Sequence, residues 1–178
     1  PTLKEMGFEK TDLVIPPMSY DTKLVKNYTE QRNFPALNAT THLSVHLRFG
    51  TVSIRQLVQL ALQRQAAGSP GASVWLGELV WRDFYFQILA NFPQVATGAF
   101  KPEYNTITWE SGARAQQLFD AWCQGATGYP LVDAAMLQLN QTGYMHNRLR
   151  MVAGSFLVKH LGLDWRWGEH YFAQKLLD

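Results

Sequence analysis

Apolar residues recur at helical spacing through most of this chain. Ser53 precedes Ile54, Leu57, Val58, Ala61 and Leu62, a stripe closed by Gly68-Ser69-Pro70-Gly71, so a helix is expected there. The same test predicts helices over about 72–91, 111–124, 130–142, 144–161 and 166–177. A more polar helix is expected from Tyr20 to Arg32, where Asn33-Phe34-Pro35 ends it. Residues 36–50, rich in Thr, Ser and His, and residues 92–109, with Pro and Gly, read as loops. The first 19 residues carry Pro1, Pro16, Pro17 and mixed charges without a sustained period, so they read as a linker to a body spanning 20–178. No alternating strand pattern of useful length and no internal repeat interrupts this, and the expected class is all-α.

The helical wheel of 72–91 divides unusually. Leu76, Leu79, Val80, Phe84, Phe86 and Ile88 share one broad arc, the expected core face. Trp75, Glu78, Trp81, Arg82 and Tyr85 fill the remainder, and a merely solvated face rarely holds three large aromatics. That arc is either a binding wall or a contact with a neighbouring helix in which Glu78 and Arg82 form an i,i+4 pair. In the helix expected over 144–161, Met145, Leu149, Val152 and Phe156 form the apolar arc, while Tyr144, Asn147, Arg150, Met151 and Gly154 share the other. A glycine inside a helix costs roughly 1 kcal/mol against alanine, so Gly154 points to close approach by another backbone or by a flat ligand.

Composition narrows the classes. The 178 residues are 47% hydrophobic and 13% aromatic, enough for one packed domain and too apolar for a disordered tail. Sixteen basic against fourteen acidic residues give a net charge of +2, so any nucleic-acid surface must be local. Two stretches supply locality: 31–77 holds Arg32, Arg48, Arg55 and Arg64 without an acid, and 134–163 holds Arg148, Arg150 and Lys159 without one. Arginines interleaved with aromatics suit phosphate contact and base stacking, although arginine is also a common helix-surface residue. No apolar run approaches the ~18 residues of a membrane span. The single cysteine, Cys123, excludes a disulfide framework and suggests a cytoplasmic protein. The chain opens on Pro1 and stops at Leu176-Leu177-Asp178 directly after a helical pattern, as expected of a piece of a longer protein.

The loop Thr40-Thr41-His42-Leu43-Ser44 offers hydroxyl and N–H donors at short spacing, a cluster able to hold a pyrophosphate. His42 and His46 have the spacing of two metal ligands, but no third ligand accompanies them and no metal site is expected. Cys123 falls at helical spacing with Leu118, Phe119 and Trp122, a core position rather than a nucleophile's. P-loop, Rossmann and G-x-S-x-G patterns are absent.

Seven strings resemble the DNA photolyase/cryptochrome family in order and spacing from about residue 28 onward. They are Arg32-Asn33-Phe34-Pro35-Ala36, Thr40 to Ser44, Leu47-Arg48-Phe49-Gly50, Val74-Trp75-Leu76-Gly77-Glu78-Leu79-Val80-Trp81-Arg82-Asp83-Phe84-Tyr85, Thr127 to Met136, Thr142-Gly143-Tyr144-Met145-His146-Asn147-Arg148-Leu149-Arg150-Met151, and Asp164-Trp165-Arg166. The string from Met145 to Met151 is similar to the cyclobutane-dimer photolyases rather than the (6-4) enzymes. The resemblance implies a truncated multi-helix bundle of the photolyase FAD-binding type, with FAD as cofactor, damaged DNA as partner and light-driven splitting of cyclobutane pyrimidine dimers as activity.

Position by position, the resemblance assigns Tyr28, Thr40, Thr41, His42, Leu43, Ser44, Trp75, Asn147, Arg150 and Asp178 to the FAD. Arg32, Glu78, Trp81, Arg82, Tyr85, Asn147, Arg148 and Arg150 fall to the DNA face. Within the dimer pocket, Trp81 and Tyr144 flank the lesion, Glu78 accepts a hydrogen bond from a pyrimidine, and Met151 packs on it. Trp165 matches the middle tryptophan of the chain that photoreduces the flavin, whereas the distal position is Glu103, beside Tyr104. Ala126 and Leu137 stand where the family usually has basic residues, and Tyr144 where it often has Trp. Asp178 matches the first residue of a flavin-contacting segment that continues past this chain, so the 178 residues alone are expected to hold FAD poorly or not at all and to be inactive. A cryptochrome-like photoreceptor without repair is the alternative, and a flavin-free helical nucleic-acid-binding module a third reading.

Overall fold

The computed structural model describes residues 1–18 and 22–178, and among these the chain is helical without strands. The helices are α1 (Thr22–Gln31), α2 (Ser44–Arg48), α3 (Ile54–Ala66), α4 (Ala72–Asn91), α5 (Gly112–Gln124), α6 (Pro130–Thr142), α7 (Asn147–Lys159) and α8 (Trp165–Lys175). Tyr20 and Asp21, expected to begin the first helix, lie outside the described residues. Two short 3-10 turns, Pro93–Ala96 and Pro102–Thr106, punctuate the long loop after α4.

Local chemistry sets the boundaries. Pro130 opens α6, and Gly125 and Gly143, both at φ 67°, close α5 and α6 in the left-handed conformation that glycine adopts without a Cβ penalty. Asp164 caps α8 by accepting the Arg166 N–H, and His146 caps α7 by accepting the Arg148 N–H. The expected helix over 144–161 therefore begins three residues late, and Tyr144 to His146 form a non-helical connection. The last helix likewise ends at Lys175, and the tail folds back so that the Leu177 N–H donates to the Gly143 carbonyl. Ser44–Arg48, read as loop, is helical, but five residues are too few for apolar spacing to declare it.

Buried residues form two clusters. Val25, Leu43, Leu57, Ala61, Ala72, Trp75 and Leu79 join α1 to α4. Trp122, Met136, Leu139, Met145, Phe156, Leu157 and Leu163 anchor the cluster of α5 to α8, where the indole N–H of fully buried Trp122 donates to the Ala153 carbonyl. Cys123 packs against this second cluster, and burial pushes its thiol up to about 12, so it is inert. Close packing accounts for two glycines: a Cβ on Gly71 would collide with the backbone carbonyl oxygen of Val25, and one on Gly168 would collide with the Leu157 side chain.

One expectation about a helix face is corrected, and one of the two readings of Gly154 is removed. The face α4 buries is Ala72, Trp75 and Leu79, while Val80, Phe84 and Phe86 are exposed. Apolar residues surround this helix, so the wheel alone does not choose among them, and α1 and α3 pack on the Trp75 side. Around Gly154, nothing lies within 4 Å of where a Cβ would stand, so no other backbone approaches it.

Candidate functional site

A cleft of about 1030 Å³ lies between the two clusters. It is at the upper end of the roughly 300–1,000 Å³ usual for ligand pockets. Its lining comes from α1 and the residues just after it, α2, Leu57 of α3, α4, α7, the 40–44 segment, the 144–146 connection and the chain end. Because each wall belongs to a different core, the cleft's shape depends on the hydrogen bonds that cross between them.

The floor is built from buried or half-buried groups. Trp75 and Leu43 line it from the first cluster, with Tyr28 beside them. Burial, reinforced by the Glu78 charge, pushes the Tyr28 phenol up to about 12, so it remains a neutral hydrogen-bonding group. Thr40, Thr41 and Ser44 bring hydroxyls to one side. The Thr40 hydroxyl lies 3.2 Å from that of Tyr144, joining the loop to the α6–α7 connection. On the other side, Arg150 Nη2 donates to both Asp178 carboxylate oxygens, at 2.9 and 2.8 Å, and Arg150 Nε donates to the Met145 carbonyl. Burial pushes the Asp178 carboxyl up, but the hydrogen bonds and charge of Arg150 and a hydrogen bond from Ser44 outweigh this and hold it below the usual carboxylate value. Arg48 donates to the carbonyls of Leu176 and Asp178, fixing the folded-back tail.

The mouth carries the aromatic wall. Trp81 is 55% exposed, stacks on Tyr85 at 6.0 Å and meets Phe84 edge-on at 5.3 Å. Arg32 forms an ion pair with Glu78 one turn below Trp81 and lies over the Tyr28 ring at 5.9 Å. Across the opening stand Asn147, Arg148 and Met151, the last 55% exposed. Arg148 Nε donates to the Asn33 side-chain oxygen at 2.9 Å.

Most of the residues expected at a cofactor, lesion or DNA surface meet in this one cleft. Arg82 and Arg150 are among them, but both are committed within the protein: Arg82 donates to the Leu47 carbonyl and lies over Phe86 at 4.6 Å. Two expected residues are not brought to the cleft. His42 adopts a positive φ of 52° and lies against the ring of Tyr144 at 4.5 Å. It lines a smaller neighbouring pocket of about 250 Å³, where its turned backbone carries its side chain. Trp165 sits at the start of α8 under the Arg166 guanidinium, 4.8 Å from its ring, and is not part of the cleft lining. Conversely, the sequence reading assigned no role to His146, which is buried and joins the two walls. Its sequence signal is weak, since it is one of three consecutive polar residues between apolar Met145 and Leu149.

The donor set fits a large ligand with a flat apolar portion and an anionic portion: aromatic and aliphatic floor, clustered hydroxyls, and guanidinium groups around the rim. Among the described residues no group of three or more His, Cys, Asp or Glu is arranged for a metal ion, and no helix is long and apolar enough to cross a membrane.

Fold and cleft together define an all-α protein organised around a site for an extended, partly anionic, partly planar ligand. The chain belongs to the family of the FAD-binding domain of DNA photolyase, whose model matches residues 75–178. A deoxyribodipyrimidine photo-lyase of Vibrio cholerae is 47% identical over 161 residues, covering 86% of this chain and 33% of that protein. The solved class III photolyase of Agrobacterium tumefaciens superposes with a TM-score of 0.82 at 40% identity, covering 87% of this chain and 32% of the other. A cryptochrome from Synechocystis superposes with a TM-score of 0.79 at 36% identity, covering 88% and 32%. The chain thus spans about a third of the length of these relatives.

Proposed function

We propose that the cleft holds FAD on its floor and receives at its mouth a cyclobutane pyrimidine dimer flipped out of damaged DNA, in a protein that splits the dimer under light. The observation that carries this is the convergence, in one cleft, of the hydroxyl-bearing 40–44 loop with an exposed Trp81 wall flanked by Glu78 and arginines. Thr40, Thr41 and Ser44 would hold its pyrophosphate, and Tyr28, Leu43 and Trp75 would enclose its planar part. When bound, reduced FAD would supply light-driven, overall redox-neutral electron-transfer chemistry, and the chain's part is placement and electrostatics.

The chain's own residues place the substrate. A dimer stacks poorly in duplex DNA, so extruding it costs less than extruding a normal base. Trp81, fixed by Phe84 and Tyr85, offers a preset stacking face, and Tyr144 lines the same cleft. Arg32 holds one carboxylate oxygen of Glu78, which orients the group to accept a hydrogen bond from a pyrimidine N–H. Met151 and Asn147 complete the rim, and Arg148 meets phosphate.

The test uses the chain extended to the full length of its relatives. It should purify with flavin absorption bands and bind a dimer-containing oligonucleotide in preference to an undamaged one. Retained flavin without lesion preference and without repair favours the photoreceptor reading, and absence of flavin removes both.

A further inference from the structure

His146 is the one polar residue among the described residues that falls in the buried class, at 6% exposure. Both ring nitrogens are engaged. Nδ1 lies 3.1 Å from the Arg148 N–H and accepts from it, so Nδ1 is unprotonated. The ring proton is therefore on Nε2, which donates to the Arg32 carbonyl at 2.9 Å. A single neutral imidazole thus ties the residue just past α1 to the first turn of α7, across 114 residues of chain.

Those two attachment points carry the mouth of the cleft. Arg32 pairs with Glu78 on one side, while Asn147, Arg148 and Met151 stand on the other. The flexible Arg148 side chain reaches Asn33 in parallel, but the His146 ring is the rigid connection. Loss of its bond to Arg32 frees one wall relative to the other, and displacements near 1 Å are enough to degrade a positioned site.

We infer that His146 is a positioning residue for lesion binding: it holds the Arg32–Glu78 pair at a fixed spacing from the α7 rim. This rests on the reading that the mouth receives a flipped dimer. It does not require His146 to touch DNA or cofactor.

The two bonds are separable by substitution. His146→Asn keeps an acceptor near the position of Nδ1, and asparagine is a good helix cap, but it is too short to reach Arg32. His146→Gln places an amide N–H near the position of Nε2 and gives up the cap. In the extended, flavin-loaded protein, dissociation constants for dimer-containing and undamaged oligonucleotides are measured beside flavin content and melting temperature. His146→Asn should weaken dimer binding about tenfold with a nearly unchanged melting temperature. His146→Gln should melt earlier yet bind the dimer close to the parent affinity. Unchanged affinity in His146→Asn, affinity losses that merely follow melting temperature, or failure of both variants to fold would overturn the inference and leave His146 a structural residue. Failure of the parent protein itself to prefer the dimer would instead refute the lesion-binding reading.

Discussion

Arg150 and Asp178 meet across 28 residues, one guanidinium nitrogen lying within hydrogen-bond distance of both carboxylate oxygens. The contact brings the last residue of the chain to the cleft floor beside Ser44, and Arg48 secures the same tail through its carbonyls. It also commits Arg150 to the interior, so the cation available for phosphate on this side is exposed Arg148.

Asp178→Asn should destabilise the chain by on the order of 1–2 kcal/mol at neutral pH, between the value of a surface pair and that of a charge-assisted buried bond. The folded Asp178 carboxyl lies below its ordinary 3.8, so the stability it contributes is present above that value and lost as pH falls below it. Melting curves through acid pH should show this loss in the parent and a smaller one in Asp178→Asn. Identical acid profiles would mean the pair contributes nothing.

Two tryptophans separate wall from core. Trp81 is exposed and Trp122 fully buried. Trp122→Ala should cost about 3–5 kcal/mol of stability. Trp81→Ala should leave melting nearly unchanged while costing about 1–3 kcal/mol of lesion affinity in the extended protein. A large melting-temperature loss from Trp81→Ala without loss of lesion affinity would place Trp81 in the core instead.

Arg148→Ala should weaken binding to damaged and undamaged DNA alike and reduce the slope of log affinity against log salt by about 0.7–0.9. A salt series read by fluorescence anisotropy measures it. An unchanged slope would remove Arg148 from the phosphate contacts.

Stability should also fall on mild acidification. Burial holds the His146 imidazole below its ordinary 6.5 despite the opposing bond to the Arg32 carbonyl, and the charges of Arg148 and Arg150 add to the depression. His42 is lowered by burial and by His146, with the Tyr144 ring packed against it. The unfolded chain takes up these protons first, so the contribution is full above 6.5 and declines as pH drops towards the folded-state values. Melting temperature followed from about pH 7.5 to 5 should decline less steeply in His146→Gln than in the parent.

The wall was legible in the sequence because Glu78, Trp81, Arg82 and Tyr85 repeat at three and four residues within one long helix, and such spacing survives folding unchanged. The facing rim was legible for a weaker reason. Asn147 and Met151 share a helix at the rim as expected, with Arg150 of the same helix turned to the floor, but Tyr144 reaches the cleft from a connection that the His146 cap keeps non-helical. What periodicity could not convey is tertiary choice. The buried side of α4 is decided by α1 and α3, and the left-handed turn at His42 goes with a side chain that lines the smaller neighbouring pocket rather than the cleft. Trp165 illustrates the same limit, since its place relative to the cleft depends on how α8 packs on α7.

The most direct measurement is dimer opening by the flavin-loaded, extended protein, followed as recovery of thymine absorbance in a dimer-containing oligonucleotide under blue or near-ultraviolet light. Recovery should occur in the light and not in darkness, and it should fall sharply in Trp81→Ala at oligonucleotide concentrations near the parent dissociation constant. Stable flavin with no absorbance recovery, or recovery indifferent to Trp81, would contradict the assignment of this cleft as the place where lesion and cofactor meet.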